Sequence, residues 1–379
     1  MRVCSSNSLV KPTRTGILIP VHKPAPCRLK TGFSSPAIMS YKIACLLWAL
    51  FLLLTPAISK GQQVGSRTLV TPRMRVIVDN DFSGDPDGLF QLAHLLLSPS
   101  VEIRGIIGSH LRVGDGFDNS ATQADNAAKK ARELLQVMAI KSAIPVIAGS
   151  NTGMANDTTP VKSEAVTFII NEALRTDTQL PLYVLCGAGL TEIASAVLKS
   201  PQIAEKLTLV WIGGPEYADL ALPPPNYSAL EYNLNIDLPA ARFIFNRTRL
   251  PIWQVPRDAY RQALLPYSLL LTRVKPHGKI GAYLCATIEE LMTRLQRYKL
   301  AIGETYILGD SPLVLLTALQ SSFEADPSSS LYTLKLAPKI NAQGGYEYNP
   351  AGRLIRVYTQ LDIPLMLSDF FAKLELLKP

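Results

Sequence analysis

Residues 75–97 read RVIVDNDFSGDPDGLFQLAHLLL, and this stretch carries the signals that decide the fold. The apolar run Arg75–Asp79 is typical of a buried parallel strand that ends in polar residues. An acidic turn follows it. Leu89–Leu97 then has the composition of a buried helix, which ends at Ser98-Pro99. A strand, a short turn and a helix form the repeating unit of α/β proteins.

The same alternation continues along the chain. Further strands are predicted at 101–107, 145–148, 182–186, 207–212 and 251–255, and further helices at 121–138, 191–199, 240–245 and 280–297. This pattern predicts an α/β fold with a largely parallel open sheet flanked by helices, in one domain over residues 65–379. Ligands of such sheets bind outside the carboxyl ends of the strands, so we expect the site there.

The first 59 residues differ from the rest in charge. They hold seven Lys and Arg and no Asp or Glu, which leaves 31 basic and 30 acidic residues beyond them. Lys42 precedes the apolar run Ile43–Leu54, whose helix would span about 18 Å, too short for a bilayer core of roughly 30 Å. With small residues at Ala57 and Ser59, this predicts a secretory signal near residues 39–59 within an N-terminal extension, 1–59. We therefore expect a periplasmic or extracellular protein; an uncleaved anchor is the alternative.

The remaining composition excludes several classes of protein. With 47% apolar residues the chain has enough for a sizeable core, and five cysteines are too few for a disulfide scaffold. The sequence has no basic stripe with interleaved aromatic residues, so nucleic acid is not expected as a partner. No membrane association is expected after removal of the signal. Cys186 and Cys285 lie in apolar surroundings, which favours two separate buried thiols over a disulfide. The Cys and His spacing does not indicate zinc.

The acidic turn is the strongest chemical signal. It places Asp79, Asp81, Asp85 and Asp87 within nine residues. Unpaired carboxylates so close together raise one another's pKa and repel, and a hard cation with oxygen ligands, Ca²⁺ or Mg²⁺, relieves this. A solvated acidic turn is the alternative. An EF-hand loop is rejected because its twelfth position is Phe90 and a strand precedes it.

The pattern strand–Asp-x-Asp–turn–Asp–helix resembles the opening motif of the nucleoside hydrolase family, Asp-x-Asp-Pro-Gly-x-Asp-Asp. Three more stretches resemble that family in the same order: Gly189-Leu-Thr-Glu-Ile-Ala with Val210-Trp-Ile-Gly-Gly-Pro, Glu231-Tyr-Asn-Leu-Asn-Ile-Asp-Leu-Pro-Ala-Ala, and Gly309-Asp-Ser-Pro-Leu. The resemblance covers roughly residues 75–320. It implies hydrolysis of the N-glycosidic bond of a small-molecule nucleoside or related riboside.

The resemblance also implies a set of site residues. Calcium ligands would be Asp81, Asp87, the Thr191 backbone carbonyl and Asp310, and the ribose would bind Asp85, Asn226, Glu231 and Asn233. Asp81 would also be the catalytic base that takes a proton from the metal-activated water. Carboxylates around the ribose would stabilise the oxocarbenium character of the transition state.

The chain departs from the family motifs at two places. Six steps separate Asp81 from Asp87, where the family has five, and Pro86 replaces one of its paired aspartates. Gly309 stands where purine-preferring members carry the His that protonates the departing base. His110, which follows the second predicted strand, is our candidate for this acid, with Tyr227 and Tyr232 as alternatives.

The sequence therefore predicts a secreted, calcium-dependent nucleoside N-ribohydrolase. Three alternatives stay open: a related hydrolase of another riboside, a catalytically silent calcium-dependent sugar-binding protein, and an aspartate-nucleophile phosphatase, whose motif Asp79-Asn-Asp81-Phe-Ser83 half matches. Assembly into a homo-oligomer is left open as well.

Overall fold

The structure, a computed structural model, describes residues 69–141, 143–321, 323 and 328–377. The predicted signal near residues 39–59 lies outside them. Within the described residues no helix is both long and apolar enough to cross a bilayer. Each strand and helix predicted from the sequence is present, with ends that agree to within two residues.

The main sheet has eight strands in the order β3-β2-β1-β4-β5-β6-β12-β9. The strands of the chain are β1 (Met74–Asn80), β2 (Val101–Gly108), β3 (Val146–Ala148), β4 (Leu182–Cys186), β5 (Leu207–Ile212), β6 (Ile252–Val255), β7 (Leu264–Pro266), β8 (Thr305–Ile307), β9 (Leu331–Leu336), β10 (Lys339–Ile340), β11 (Tyr346–Glu347) and β12 (Leu354–Gln360). In this order, each strand from β3 as far as β12 pairs in parallel with its neighbour. The edge strand β9 is antiparallel to β12. The predicted fold class, a largely parallel open sheet flanked by helices, is confirmed.

Helices cover both faces of this sheet. They are α1 (Asp87–Leu96), α2 (Gln123–Val137), α3 (Glu164–Ala173), α4 (Thr191–Lys199), α5 (Tyr232–Ile236), α6 (Leu238–Arg247), α7 (Arg257–Tyr260), α8 (Tyr267–Leu269), α9 (Gly278–Arg297), α10 (Pro312–Leu315) and α11 (Ile363–Glu375), with a 3₁₀ turn at Pro201–Glu205 and a π turn at Leu270–Val274.

Strand β1 occupies the centre of the sheet because its side chains suit burial on both faces. All seven of its residues are buried between β2 and β4. Val76 and Val78 belong to one core cluster and Ile77 to the other, as the two-residue period of a strand requires. Cys285 lies in the first cluster and Cys186 in the second, so the prediction of two separate buried thiols is confirmed.

The strand order places a switch point between β1 and β4. From β1 the chain proceeds outward to β2 and β3, and it then returns to the centre to add β4, β5 and β6 on the other side. The helices that follow β1 and β4 therefore diverge, and a crevice opens at the carboxyl ends of these two strands. The acidic turn after β1 begins at this crevice.

Candidate active site

A cavity of about 830 Å³ opens at the carboxyl edge of the sheet. Most of the polar side chains in its inner part come from the strand ends and from the segment that follows β8. We call this part the floor, and it is formed by Asp81, Asp85, Asp87, Gly187, Glu231, Asn233, Gly309 and Asp310. Of the nine site residues predicted from the sequence, six therefore share one cavity.

The acidic turn holds three of these carboxylates in one compact loop. The backbone N–H of Gly84 donates to the Asp81 carbonyl at 2.6 Å, and the Asp81 N–H donates to Asn80 Oδ1 at 2.8 Å. Asp87 is the first residue of α1, and its Oδ1 accepts a bond from the Gly88 N–H. Negative charge at a helix N-terminus is favourable, which compensates part of the cost of burying Asp87.

Asp310 joins this turn from the far end of the sequence. Its Oδ2 accepts a 2.9 Å bond from Asn80 Nδ2, and its backbone N–H donates to Asp87 Oδ2 at 3.1 Å. Two segments more than 200 residues apart in the sequence thus meet through hydrogen bonds of their own polar groups. The late motif is therefore positioned by the early one.

Burial and mutual repulsion raise the pKa values of this cluster. For Asp81 and Asp87 burial is the largest cause, followed by the negative charges of Asp310 and Asp85. Burial likewise raises the pKa of Asp310 to about 8, although the hydrogen bond from Asn80 opposes it. Without a cation, the floor therefore retains protons at neutral pH.

The chemistry of these donors fits a hard cation. Carboxylate oxygens of Asp81, Asp87 and Asp310 line the floor beside the Gly187 backbone, and Ca²⁺ prefers such oxygen ligands. A Cβ on Gly187 would lie 2.5 Å from Asn80 Nδ2, so only glycine allows this close approach. In the described part of the chain, however, no three His, Cys, Asp or Glu side chains converge closely enough to form a metal site by themselves.

Two further floor residues, Glu231 and Asn233, are held rigidly by hydrogen bonds. Glu231 Oε2 accepts bonds from the backbone N–H groups of Gly214 and Leu234, while its Oε1 accepts one from the Tyr260 hydroxyl. Asn233 Nδ2 donates to the carbonyls of Gly187 and Ile212. One lone pair of Glu231 Oε1 and the amide oxygen of Asn233 have no donor in these contacts, so both side chains keep acceptors for sugar hydroxyls.

The structure corrects the prediction for Thr191. This residue begins α4, so its backbone carbonyl points along the helix toward the N–H four residues later rather than into the cavity. Its hydroxyl donates to Asp237 Oδ2 at 2.6 Å. The backbone of β4 instead reaches the cavity at Gly187, four residues earlier.

His110 also lies outside the cavity lining, which corrects its assignment as the acid for the departing base. Its ring is buried, with Nε2 2.9 Å from Thr191 Oγ1 and Nδ1 2.8 Å from the Leu111 carbonyl. Both ring nitrogens are occupied by these contacts, so neither is directed at a substrate. The alternatives Tyr227 and Tyr232 do line the cavity.

Asn226 is the third correction, because it is exposed and absent from the cavity lining. Its φ of +59° is left-handed, a conformation that Asn tolerates better than most residues. The residue type at this position therefore serves the turn of the loop. Its neighbour Tyr227 faces the cavity, with its ring 5.2 Å from the Arg257 guanidinium.

Sequence reasoning missed several residues of the cavity wall. Tyr260 donates to Glu231, and the Tyr306 hydroxyl donates to Asp85 Oδ2 at 2.9 Å. Arg112, Arg261 and Arg294 line the outer part. Tyr260 and Arg261 follow β6 closely, so the rule that sites lie at carboxyl strand ends could have found them. No signal in the sequence points to Arg294, which lies inside a long amphipathic helix.

Comparison with known proteins agrees with this geometry. A family described as inosine-uridine preferring nucleoside hydrolase matches residues 76–348, well over half of the chain. Among curated proteins, no relative of this chain is found by sequence.

Solved structures share the fold at low sequence identity. A plant nucleoside hydrolase, PpNRh1, matches with a TM-score of 0.60 and 18% identity over 80% of this chain and 99% of that one. A purine-preferring ribonucleoside hydrolase from Gardnerella vaginalis matches with 0.61 and 20% over 79% and 98%. An inosine-uridine preferring nucleoside hydrolase from Bacillus anthracis matches with 0.56 and 14% over 80% and 100%. With the family match over residues 76–348 and the acidic floor at the switch point of the sheet, the chain belongs to the nucleoside hydrolase family, whose members are N-ribohydrolases.

Proposed function

We propose that this protein hydrolyses the N-glycosidic bond of ribonucleosides with a bound calcium ion, and that it does so outside the cytoplasmic membrane. The observation that carries the calcium-dependent reaction is the floor itself. Asp81, Asp87 and Asp310 face one cavity from two segments far apart in the chain, and their pKa values are raised by burial and mutual repulsion. A divalent cation would replace the protons that these carboxylates otherwise retain.

In this proposal, Asp81, Asp87 and Asp310 would hold the ion together with the Gly187 carbonyl, which also accepts a bond from Asn233 Nδ2. When bound, such an ion would lower the pKa of water at the site and orient the ribose diol. We assign Asp81 as the base that accepts the proton of the attacking water, because it is the first floor carboxylate after β1. The hydrogen bonds of the turn hold its backbone, whereas Asp87 is already part of α1. This role needs Asp81 ionised, which a nearby cation favours.

The ribose lies against Asp85, Glu231 and Asn233. As the bond to the base breaks, positive charge develops on the sugar, and fixed carboxylates stabilise it more strongly than mobile water would. Tyr260 and Tyr306 hold Glu231 and Asp85 by their hydroxyl groups, so the two carboxylates need not reorganise during the reaction. Their fixed positions contribute to catalysis through preorganisation.

The departing base must receive a proton, and Tyr227 is our candidate donor. It lines the cavity and is 63% exposed, and its ring centroid lies 5.2 Å from the Arg257 guanidinium carbon. The hydroxyl of the other candidate tyrosine, Tyr232, already donates to Asp115 Oδ2 at 2.8 Å. Tyr227 therefore has the more available proton of the two.

Release of free base and ribose from inosine and uridine tests this function. The purified protein should release base with added CaCl₂, and turnover should fall by at least about a hundredfold with the chelator EGTA. Calcium-dependent ribose binding without turnover would instead support a silent sugar-binding protein.

Two further parts of the proposal have their own tests. Phosphate release from phosphomonoesters in place of base release would support the phosphatase alternative, which the family match leaves without support. The predicted signal near residues 39–59 implies that the exported protein starts at Lys60. N-terminal sequencing of protein recovered from the periplasm or the medium checks this, and an intact N-terminus in the cell interior would contradict it.

A further inference from the structure

The outer part of the cavity carries the opposite charge to its floor. Arg112, Arg261 and Arg294 all line it, and they come from three separate segments of the chain. Arg112 lies in the loop after β2, Arg261 is the residue at which α7 ends, and Arg294 lies in the last turn of α9. Three arginine side chains from separate elements thus line one cavity. We call these three residues the basic rim.

Two of the rim side chains are held over aromatic rings. The Arg294 guanidinium carbon lies 4.5 Å from the centroid of Phe117, and that of Arg112 lies 5.5 Å from the centroid of Tyr232. A guanidinium group that stacks on a ring keeps its N–H groups, which point outward in its own plane, free for an oxyanion. The rings therefore orient the arginines without satisfying their hydrogen bonds.

The floor does not neutralise this charge. Arg112 pairs with Asp115, at 3.0 Å between Nε and Oδ2, but Asp115 is not a floor residue. Arg261 and Arg294 form no ion pair with any residue that the structure describes. A neutral nucleoside offers these groups no counter-charge. Arg261 and Arg294 are thus two cationic donors without an ion-pair partner among the described residues, and Arg112 keeps its remaining N–H groups beside Asp115.

We propose that the basic rim binds a phosphate on the 5′-oxygen of the ribose, so that the substrates of this protein are nucleoside 5′-phosphates. This rests on the proposed function, because the ribose diol must lie on the floor for its 5′-carbon and its base to point outward. Guanidinium groups bind phosphate through paired hydrogen bonds and are the usual residues for this purpose. A cavity of about 830 Å³ is within the range that encloses ligands larger than a nucleoside.

The reaction balances without a further reactant. Water adds to C1′ of the ribose as the bond from C1′ to the base nitrogen breaks with its electron pair. One proton of the water passes to Asp81, and the base nitrogen takes up a proton. The products are the free base and ribose 5-phosphate.

The test compares inosine with inosine 5′-monophosphate on the full-length protein with CaCl₂. We expect kcat/KM for the monophosphate to exceed that for inosine by about tenfold or more. Replacing both free rim side chains, Arg261→Gln with Arg294→Gln, should lower kcat/KM for the monophosphate by about 10- to 100-fold. Inosine should change by less than about twofold.

The matched control is Arg297→Gln, on the same helix but outside the cavity lining. It removes the same charge from the same end of α9 and should leave both substrates unchanged. Raising NaCl from 50 to about 300 mM should raise KM for the monophosphate only, because salt screens the attraction between charges. Preference for inosine, or equal effects of the double variant on both substrates, would overturn the proposal.

Lack of turnover on both substrates would contradict the proposed function. A binding measurement would then test separately whether the basic rim binds a phosphate. Calorimetric titration would measure the affinity for inosine and for inosine 5′-monophosphate in the wild type and the double variant. Tighter binding of the monophosphate that the double variant abolishes supports the anion subsite without any catalysis. Equal affinities for the two ligands would overturn it.

Discussion

Two polar clusters at the carboxyl edge of the sheet differ in one decisive respect. The buried cluster of His110, Thr191 and Asp237 satisfies its own hydrogen bonds: the His110 ring contacts Thr191, Thr191 donates to Asp237, and Asp237 also accepts from the backbone of Met154 and Ala240. On the floor, in contrast, Asp81, Asp85, Asp87 and Asp310 repel one another. One cluster is complete within the protein and the other needs a ligand.

This difference explains why the structure does not place Thr191 and His110 at the site, although the family resemblance implied Thr191 and the end of the second strand suggested His110. Motif matches identify a neighbourhood in the fold, and both residues do lie near the cavity. Residues whose polar groups are all hydrogen-bonded within the protein support the sheet edge, and residues with unsatisfied polar groups in the cavity are the ones that face a substrate. The comparison makes opposite predictions for variants in the two clusters.

The largest expected effect is on the floor. Asp81→Asn should lower kcat by about 10²–10⁴-fold, because it removes the proposed base and one proposed metal ligand. The fold should be preserved, since the change removes a charge that its neighbours repel. Steady-state kinetics and thermal unfolding of the same sample measure both effects, with the exposed Glu205→Gln as the control. Unchanged kinetics would exclude Asp81 as the base.

A variant in the buried cluster should do the reverse. Thr191→Val keeps the shape of the side chain but leaves His110 Nε2 without a partner and removes one bond to Asp237, which should lower the free energy of unfolding by about 1–3 kcal/mol. Base release by the folded enzyme should change by less than about twofold. Urea denaturation measures the first effect, and Thr208→Val on β5 is a matched control. Loss of turnover at unchanged stability would return Thr191 to the site.

The pH dependence of stability distinguishes the clusters without mutation. Because the pKa of Asp310 is raised to about 8 and those of Asp81 and Asp87 are also raised, the folded metal-free protein binds more protons than the unfolded chain. The free energy of unfolding should therefore fall as pH rises from about 4 to 8. Calcium should reduce this slope, and urea denaturation at pH 5, 7 and 9 in EGTA or CaCl₂ measures it.

Two results would contradict this account of the floor. One is a metal-free protein whose stability does not change over this pH range. The other is an Asp310→Asn variant with the same slope as the wild type, because it lacks one of the groups with a raised pKa.

The smallest effect is expected at Asn226. Asn226→Gly keeps access to the left-handed conformation at φ +59° and should change kcat/KM by less than about twofold, since the residue is exposed and outside the cavity. A tenfold loss on nucleosides would show that the loop closes over the sugar and would restore the role that the family resemblance implied.

Much of the fold could be predicted from the sequence because its signals are local. Strands such as Leu182–Cys186 and Leu207–Ile212 are unbroken apolar runs, and helices such as Thr191–Lys199 follow them within a few residues. The antiparallel edge strand Leu331–Leu336 was not predicted. Its exposed and half-buried residues give no clear apolar run, and only its pairing with β12 makes it a strand.

By itself, the sequence determined the alternation of strands and helices, the acidic turn after β1 and the order of the family motifs, because each depends on residues close together in the chain. The tertiary structure alone decided which strand-end groups face the cavity. It directs the Thr191 carbonyl along a helix, and it places Arg112, Arg261 and Arg294 in the lining of one cavity. These positions depend on the direction of the helices and the order of the strands in the sheet. Contacts between distant parts of the chain set both, so neither can be predicted from the spacing of residues in the sequence.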